Sequence, residues 1–242
     1  MKNHFENIAI IGSSGAIGNS FVNSLEKNDE IKSIYSFSRN PIDVKSNKIF
    51  SYEINFENEK VIENASLIAS KHKPLDLVIV ASGILSGSDF RPEKSLKELS
   101  IKNFDQLFFI NTIGPALIAK YFLPKLNKNK ISVFAALSAR VGSISDNYLG
   151  GWYSYRASKA ALNMIIKNAS IELSRSNKNS VVIGLHPGTV DSKLSKSFQK
   201  SINKDKIFTP DYSVKKLLEI IYELQKPDTG KIFAWDGKEI FP

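Results

Sequence analysis

The 242-residue chain contains no cysteine, which removes disulfide frameworks, thiol nucleophiles and cysteine-bound metals or clusters. Redox chemistry in such a chain has to rely on a bound organic cofactor. Histidine is nearly as scarce, with three in all. His4 lies near the first residue, His72 in the polar run SKHKP and His186 before Pro187-Gly188, so no pair has metal-ligand spacing and no metal is expected. No apolar run approaches the roughly 18 to 20 residues that span a bilayer, so no membrane anchor is expected. The opening residues MKNHFENIAIIGSSG run almost at once into a strand and a glycine turn. They leave no room for a signal peptide, and a cytoplasmic location is expected.

What is present is the composition of a globular protein, 42% hydrophobic and 24% charged, with a formal net charge of +9. The lysines are scattered (Lys45, Lys48, Lys71, Lys73, Lys128, Lys130, Lys196, Lys200, Lys204, Lys206) and form no basic stripe interleaved with aromatics. Nucleic-acid binding is therefore not expected.

Apolar runs of strand length alternate with longer amphipathic stretches. The runs cover 7–12, 31–38, 48–54, 75–81, 131–138, 180–186 and 231–235; helical spacing covers 16–27, 59–71, 104–126, 153–174 and 212–225. This alternation predicts one α/β domain over 1–242, a doubly wound, Rossmann-like parallel sheet of seven strands with helices on both faces. Pro115 and Pro124 predict a kink in the third helix. The loops 83–92, 141–152 and 191–208 follow strand C-termini, where open α/β sheets hold their ligands. Trp152, Tyr148 and Phe198 in these loops point to an apolar pocket.

The first strand ends in Gly12-Ser-Ser-Gly15-Ala-Ile-Gly18, opening directly into a helix. Glycines there permit positive φ and close backbone approach to a pyrophosphate, whose charge meets the unpaired N–H groups of the helix N-terminus. Gly12, Ser14, Gly15, Ile17 and Gly18 are the candidate contacts. The second strand is followed by Ser38-Arg39, with no acidic residue to hold ribose hydroxyls. A hydroxyl and a guanidinium suit a 2′-phosphate, so NADP(H) is favoured over NAD(H).

Tyr-x-x-x-Lys occurs four times: Tyr121/Lys125, Tyr155/Lys159, Tyr212/Lys216 and Tyr222/Lys226. Residues four apart share a helix face, so the ammonium can favour the phenolate. Position selects Tyr155/Lys159, which opens a helix after a long loop beyond the fifth strand, among the small residues Ala157, Ser158, Ala160 and Ala161.

These residues, together with Ala81-Ser82-Gly83, Asn111 and Pro187-Gly188, occur in the order of a short-chain dehydrogenase/reductase, and the resemblance spans 7–235. Arg140-Val-Gly-Ser-Ile-Ser-Asp146 and Gly150-Gly-Trp-Tyr-Ser-Tyr-Arg-Ala-Ser-Lys-Ala-Ala-Leu-Asn163 resemble more closely the branch containing C-factor and the sniffer carbonyl reductases. The resemblance implies that Tyr155 donates a proton to a carbonyl, that Lys159 binds the nicotinamide ribose and tunes Tyr155, and that Asn111 supports a proton relay. It further implies that Ala81, Ser82, Gly83 and Asn55 line the adenine side. Pro187, Gly188 and Val190 belong to a segment that holds the carboxamide through its backbone. A small carbonyl or alcohol substrate and a homodimer or homotetramer are likewise implied.

One position departs from the pattern. Counting back from Gly142, the slot of the carbonyl-polarising serine holds Ala139, with Ser138 one residue early. Three readings stay open: Ser138 serves because the strand end bends, Ser143 substitutes, or no serine polarises the carbonyl. The expected activity is NADPH-dependent reduction of an aldehyde or ketone. The alternative is an NAD(P)-binding signalling or redox-sensing protein with little turnover.

Overall fold

The computed structural model describes residues 2–43, 45–87, 89–199 and 202–242. Lys200 and parts of the loops 83–92 and 191–208 fall outside the described residues.

Seven strands form one all-parallel sheet: β1 (Asn7–Ile11), β2 (Ser33–Ser38), β3 (Ile49–Glu53), β4 (Leu77–Val80), β5 (Ser132–Leu137), β6 (Ser180–His186) and, after two short strands, β9 (Ile232–Ala234). Their spatial order is β3-β2-β1-β4-β5-β6-β9. The reversal between β1 and β4 opens the crevice in which doubly wound sheets bind ligands. LVIV is apolar throughout, and NIAII is apolar but for its first residue Asn7, because both faces are covered. Ala9 and Ile11 of β1 face one core with Phe37, Phe122 and Ile166, while Ile8 and Ile10 face the other with Phe21, Val214 and Leu217. This is the two-residue period of a strand buried on both sides.

The helices are α1 (Ala16–Glu26), α2 (Glu59–Ser70), α3 (Ile101–Phe108), α4 (Gly114–Phe122), α5 (Tyr153–Ser174) and α6 (Pro210–Glu223). α1 and α6 pack together on one face of the sheet, and α2, α4 and α5 cover the other. Three helix starts are closed by their own preceding side chain: Asn58 accepts from Lys60 N, Ser100 from Asn103 N and Thr209 from Tyr212 N. α1 and α5 have no such cap.

The expected helix 104–126 is a continuous helical segment, Ile101–Lys125, with a π-turn inside it. A π-turn over Phe109–Ile113 separates α3 from α4, Gly114 N bonding back to Phe109 O, and a 3₁₀ turn over Leu123–Lys125 ends the segment. Pro115 lies within the first two positions of α4, where its missing N–H costs nothing. The expectation about apolar runs also needs correction. Ile101–Lys125 taken together is long and apolar enough, by length and composition, to cross a bilayer. Half of it is buried in the protein, α3 against α5 and α4 against α2 and α5, which accounts for its apolarity. The stretch expected as the loop 191–208 is bounded by a two-strand pairing of β7 (Thr189–Val190) with β8 (Ile207–Phe208).

Candidate active site

Two cavities open along the carboxyl ends of the strands and share Ala81, Ser82 and Gly83. The first, about 540 Å³, is lined by Gly12, Ser14, Gly15, Ser38, Arg39 and Asn55. The second, about 410 Å³, is lined by Ile17, Ser138, Ala139, Tyr155, Lys159, His186 and the segment 187–190. The chain thus continues one groove from the glycine turn to the Tyr155 phenol.

The groove fits a dinucleotide on three observations. Gly12 has φ +85° and lies so close to the β4 end that a Cβ would sit 2.7 Å from Ser82 N. The N-terminus of α1 has neither a side-chain cap nor an acidic residue in its first turn, leaving its N–H groups for an anion. Asn55 Oδ1 and Ser82 Oγ are buried without a protein partner, and both residues line the larger cavity. Arg39 is exposed at its rim, and Ser38 donates its hydroxyl to Asn40 O at 2.6 Å while keeping lone pairs free. Gly18 lines neither cavity. A Cβ on it would come within 2.2 Å of Gly12 O, so its role is close packing of helix on turn.

Tyr155 and Lys159 are 7% and 3% exposed on the first turns of α5. Lys159 Nζ donates to Leu137 O at 2.8 Å and stands 6.0 Å from the centre of the Tyr155 ring. Burial holds the phenol above its ordinary value, so at neutral pH it is in the acid form. The lowering anticipated from Lys159 is not seen at this separation. Burial also brings Lys159 down to about 8, still mostly protonated at pH 7.

Asn111 sits in the π-turn, fully buried and behind the cavity walls. Its amide accepts from Ile84 N at 2.9 Å and donates to Ile84 O at 2.9 Å and to Ser158 Oγ at 3.2 Å. Ser158 Oγ in turn donates to Tyr155 O at 2.8 Å. A methyl on Gly83 would lie 3.5 Å from Asn111 Oδ1 and 3.7 Å from Lys159 Nζ, so the three positions converge. π-turns recur at functional sites because they displace side chains off the helical register.

Of the serines, Ser138 lines the Tyr155 cavity, the candidate reaction cavity, and donates its hydroxyl to Asn163 Oδ1 at 2.6 Å. Ser143 does not line it: its hydroxyl donates to Phe241 O and accepts from Asp146 N, tying the loop to the last residues. Ala139 packs beside Tyr155 in the same apolar cluster as Leu85 and Phe90. Trp152 and Phe198 form the aromatic wall, ring centres 5.0 Å apart. Tyr148, expected with them, is 87% exposed and lines neither cavity.

Four residues escaped the sequence reading. Asn163 lies one helical turn beyond Lys159, a spacing visible in the sequence without a reason to prefer it. In the sequence Ser158 is one small neighbour of Tyr155 among several, and nothing marks its hydroxyl. Glu93 carried no local signal. His186 is a lone histidine in the sequence, yet it lines the Tyr155 cavity with a buried, unpartnered Nδ1. Burial, reinforced by Arg140, lowers its pKa to about 4, so it is neutral at physiological pH. Among the described residues no three His, Asp or Glu side chains gather into a metal-binding group.

A glycine-turn groove running into a buried Tyr-Lys pair is a candidate site for a dinucleotide-dependent oxidoreductase. The family model for short chain dehydrogenases matches residues 6–203, and the chain belongs to that family. It is 32% identical over 183 residues to the 1-hydroxy-2-glutathionyl-2-methyl-3-butene dehydrogenase of Rhodococcus sp. (strain AD45), covering 74% of each chain. It is 30% identical over 146 residues to the C-signal protein of Myxococcus xanthus, covering 60% of this chain and 82% of that one. Among solved structures, the NADPH-bound carbonyl reductase from chicken fatty liver superposes with a TM-score of 0.86 at 24% identity, covering 99% of this chain and all of that one. Carbonyl reductase Sniffer of D. melanogaster gives 0.85 at 21%, with the same coverage. At these identities the superpositions establish the fold.

Proposed function

We propose that this protein is an NADPH-dependent reductase of an aldehyde or ketone, with Tyr155 as the proton donor. The observation that carries this reading is the placing of the Tyr155 phenol, the Lys159 ammonium and the Ser138 hydroxyl on one cavity that continues into the glycine-turn groove. When bound, the reduced nicotinamide supplies the two electrons as a hydride. The chain supplies a proton from Tyr155 Oη to the oxygen that becomes the alcohol, and the buried phenol carries that proton at neutral pH. Lys159 holds its charge beside the phenol, in reach of a ribose, and the apolar wall of Leu85, Val141, Trp152 and Phe198 excludes water. Gly12, Ser14 and Gly15 would hold the pyrophosphate, Asn55 and Ser82 the adenine side, and Pro187, Gly188 and Val190 the carboxamide end. Arg39, exposed at the rim of this cavity just beyond β2, favours the 2′-phosphate.

The test is decay of NADPH absorbance with a panel of aldehydes, ketones and quinones. Tyr155→Phe is expected to lower kcat by roughly 10² to 10⁴-fold with NADPH binding retained. Turnover that survives this substitution would overturn the role given to Tyr155. Ile113, Met164 and Ile171 expose apolar surface on the π-turn and α5, which supports a homodimer or homotetramer, to be read from the mass in solution. A second reading, a dinucleotide sensor with little turnover, draws on the Ser138 hydroxyl being committed to Asn163. It predicts tight NADPH binding with no substrate reduced across the panel.

A further inference from the structure

Glu93 is a buried carboxylate that the proposed chemistry does not use. It lies between β4 and α3 and is 1% exposed. A carboxylate in such a place is costly unless its lone pairs are satisfied, and here they all serve one short segment or its tether. Oε1 accepts from Ser154 Oγ and, at 3.0 Å, from Asn103 Nδ2; Oε2 accepts from Ser154 N at 3.3 Å; and the backbone carbonyl of Glu93 accepts from Trp152 N at 2.5 Å. Asn103 also donates to Arg91 O at 3.3 Å, which ties this loop to the first turn of α3.

The segment so held is unusual. Gly150, Gly151 and Trp152 follow one another with φ of 62°, 64° and 50°, and Trp152 is the one non-glycine with positive φ among the described residues. A bulky residue in the left-handed region persists only where its surroundings impose it. α5 begins directly after, with no side-chain cap of its own, unlike α2, α3 and α6. Trp152 lines the reaction cavity edge-on to Tyr155, ring centres 6.1 Å apart at 76°. A negative charge at this helix start also complements the helix dipole. Burial raises the Glu93 carboxyl, but the bonds accepted from Ser154 and Asn103 outweigh it and hold the group below the ordinary range.

We infer that Glu93 is a positioning residue: from a remote loop it replaces the missing cap of α5, imposes the left-handed turn at Trp152, and so sets the indole and the Tyr155 phenol in their places on the reaction cavity. The inference rests on the proposed role of Tyr155 for its effect on turnover, and on geometry alone for its effect on Trp152. The pyrophosphate and adenine end of the proposed NADPH groove lies in the other cavity and shares none of these contacts.

The test uses the full chain with NADPH, in a Trp235→Phe background that leaves Trp152 as the one tryptophan of the two in the sequence. Glu93→Ala is expected to lower kcat by about a hundredfold, as a misplacement of about 1 Å does, with the Kd of NADPH unchanged. Emission from Trp152 should shift to the red and its quenching by acrylamide should rise. Glu93→Gln, which keeps one oxygen for Ser154 Oγ and Asn103, should fall between, and Ser154→Ala should reproduce part of the loss without adding to that of Glu93→Ala. Unchanged Trp152 emission in folded Glu93→Ala, or equal losses in kcat and NADPH affinity, would overturn the inference. If Glu93→Ala does not fold, Glu93→Gln and Ser154→Ala decide by the same readouts. If the parent reduces no carbonyl, the activity reading fails, and the emission of Trp152 with NADPH bound still decides whether Glu93 holds the turn.

Discussion

At the scale of residues, the serine question turns on hydroxyl commitments. Ser138 lines the cavity but gives its proton to Asn163, so polarising a carbonyl requires its hydroxyl to rotate toward the substrate. Ser143 is spent on the backbone near the last residues. Ser138→Ala is therefore expected to slow reduction by about a hundredfold, the scale of one lost oxyanion donor. Ser143→Ala should stay within about twofold of the parent, since it touches no reacting group. Steady-state kinetics of both variants against one aldehyde separates them, and the reverse ranking would assign the role to Ser143. Lys159 makes a second prediction, about pH. Its pKa is lowered to about 8 by burial, so between about pH 8 and the ordinary 10.5 the unfolded chain holds more protons than the folded one, and stability rises with pH. Below about pH 8 the full cost of burying the ammonium is present, on the order of 3 kcal/mol. Urea unfolding of the parent and Lys159→Met should show the Met variant's advantage shrinking from pH 7 to pH 10. Parallel pH dependences would contradict this.

At the scale of elements, the glycine turn and α1 work because two backbones nearly touch. A Cβ on Gly18 would meet Gly12 O at 2.2 Å and Ser13 Cα at 3.0 Å, atoms that cannot step aside as a side-chain tip would. Gly18→Ala should destabilise the fold by about 3 kcal/mol, the upper range for overpacking, and weaken NADPH binding by displacing the turn. Thermal and denaturant midpoints with and without NADPH check both parts. Much of this level was legible beforehand, since strands buried on both faces read as apolar runs and amphipathic helices as periodic ones. The π-turn within helix 101–125 was not. The helix's sequence pattern continues through Phe109–Ile113, and only the packing of α3 and α4 on α5, with α2 also against α4, rewards the wider turn that carries Asn111.

At the scale of the whole molecule, a ligand that binds only the folded state adds stability by mass action. NADPH at about a hundredfold over its Kd should raise the unfolding free energy by about 2.7 kcal/mol. NADH at the same concentration should raise it less, and Arg39→Ala should narrow the difference between the two. Equal shifts from both cofactors would remove the proposed preference. The net charge of +9 adds a long-range attraction for the phosphates that salt screens, so the NADPH Kd should weaken when salt is raised from about 0.05 M to about 0.5 M.

What the amino-acid sequence determined by itself was whatever depends on local pattern: the alternation that builds a doubly wound sheet, the glycine turn at the first strand end, and the Tyr155/Lys159 spacing on one helix face. Those signals are local because strand and helix periods, and the special conformations of glycine, are properties of short stretches. The tertiary structure decided what depends on partners distant in the chain. It set Ser138 against Asn163 rather than free, turned Tyr148 outward while Trp152 and Phe198 closed the cavity, and brought Glu93 to a helix start 61 positions away. No pattern in the sequence links such pairs, since their hydrogen bonds exist only once the sheet has brought its loops to one end.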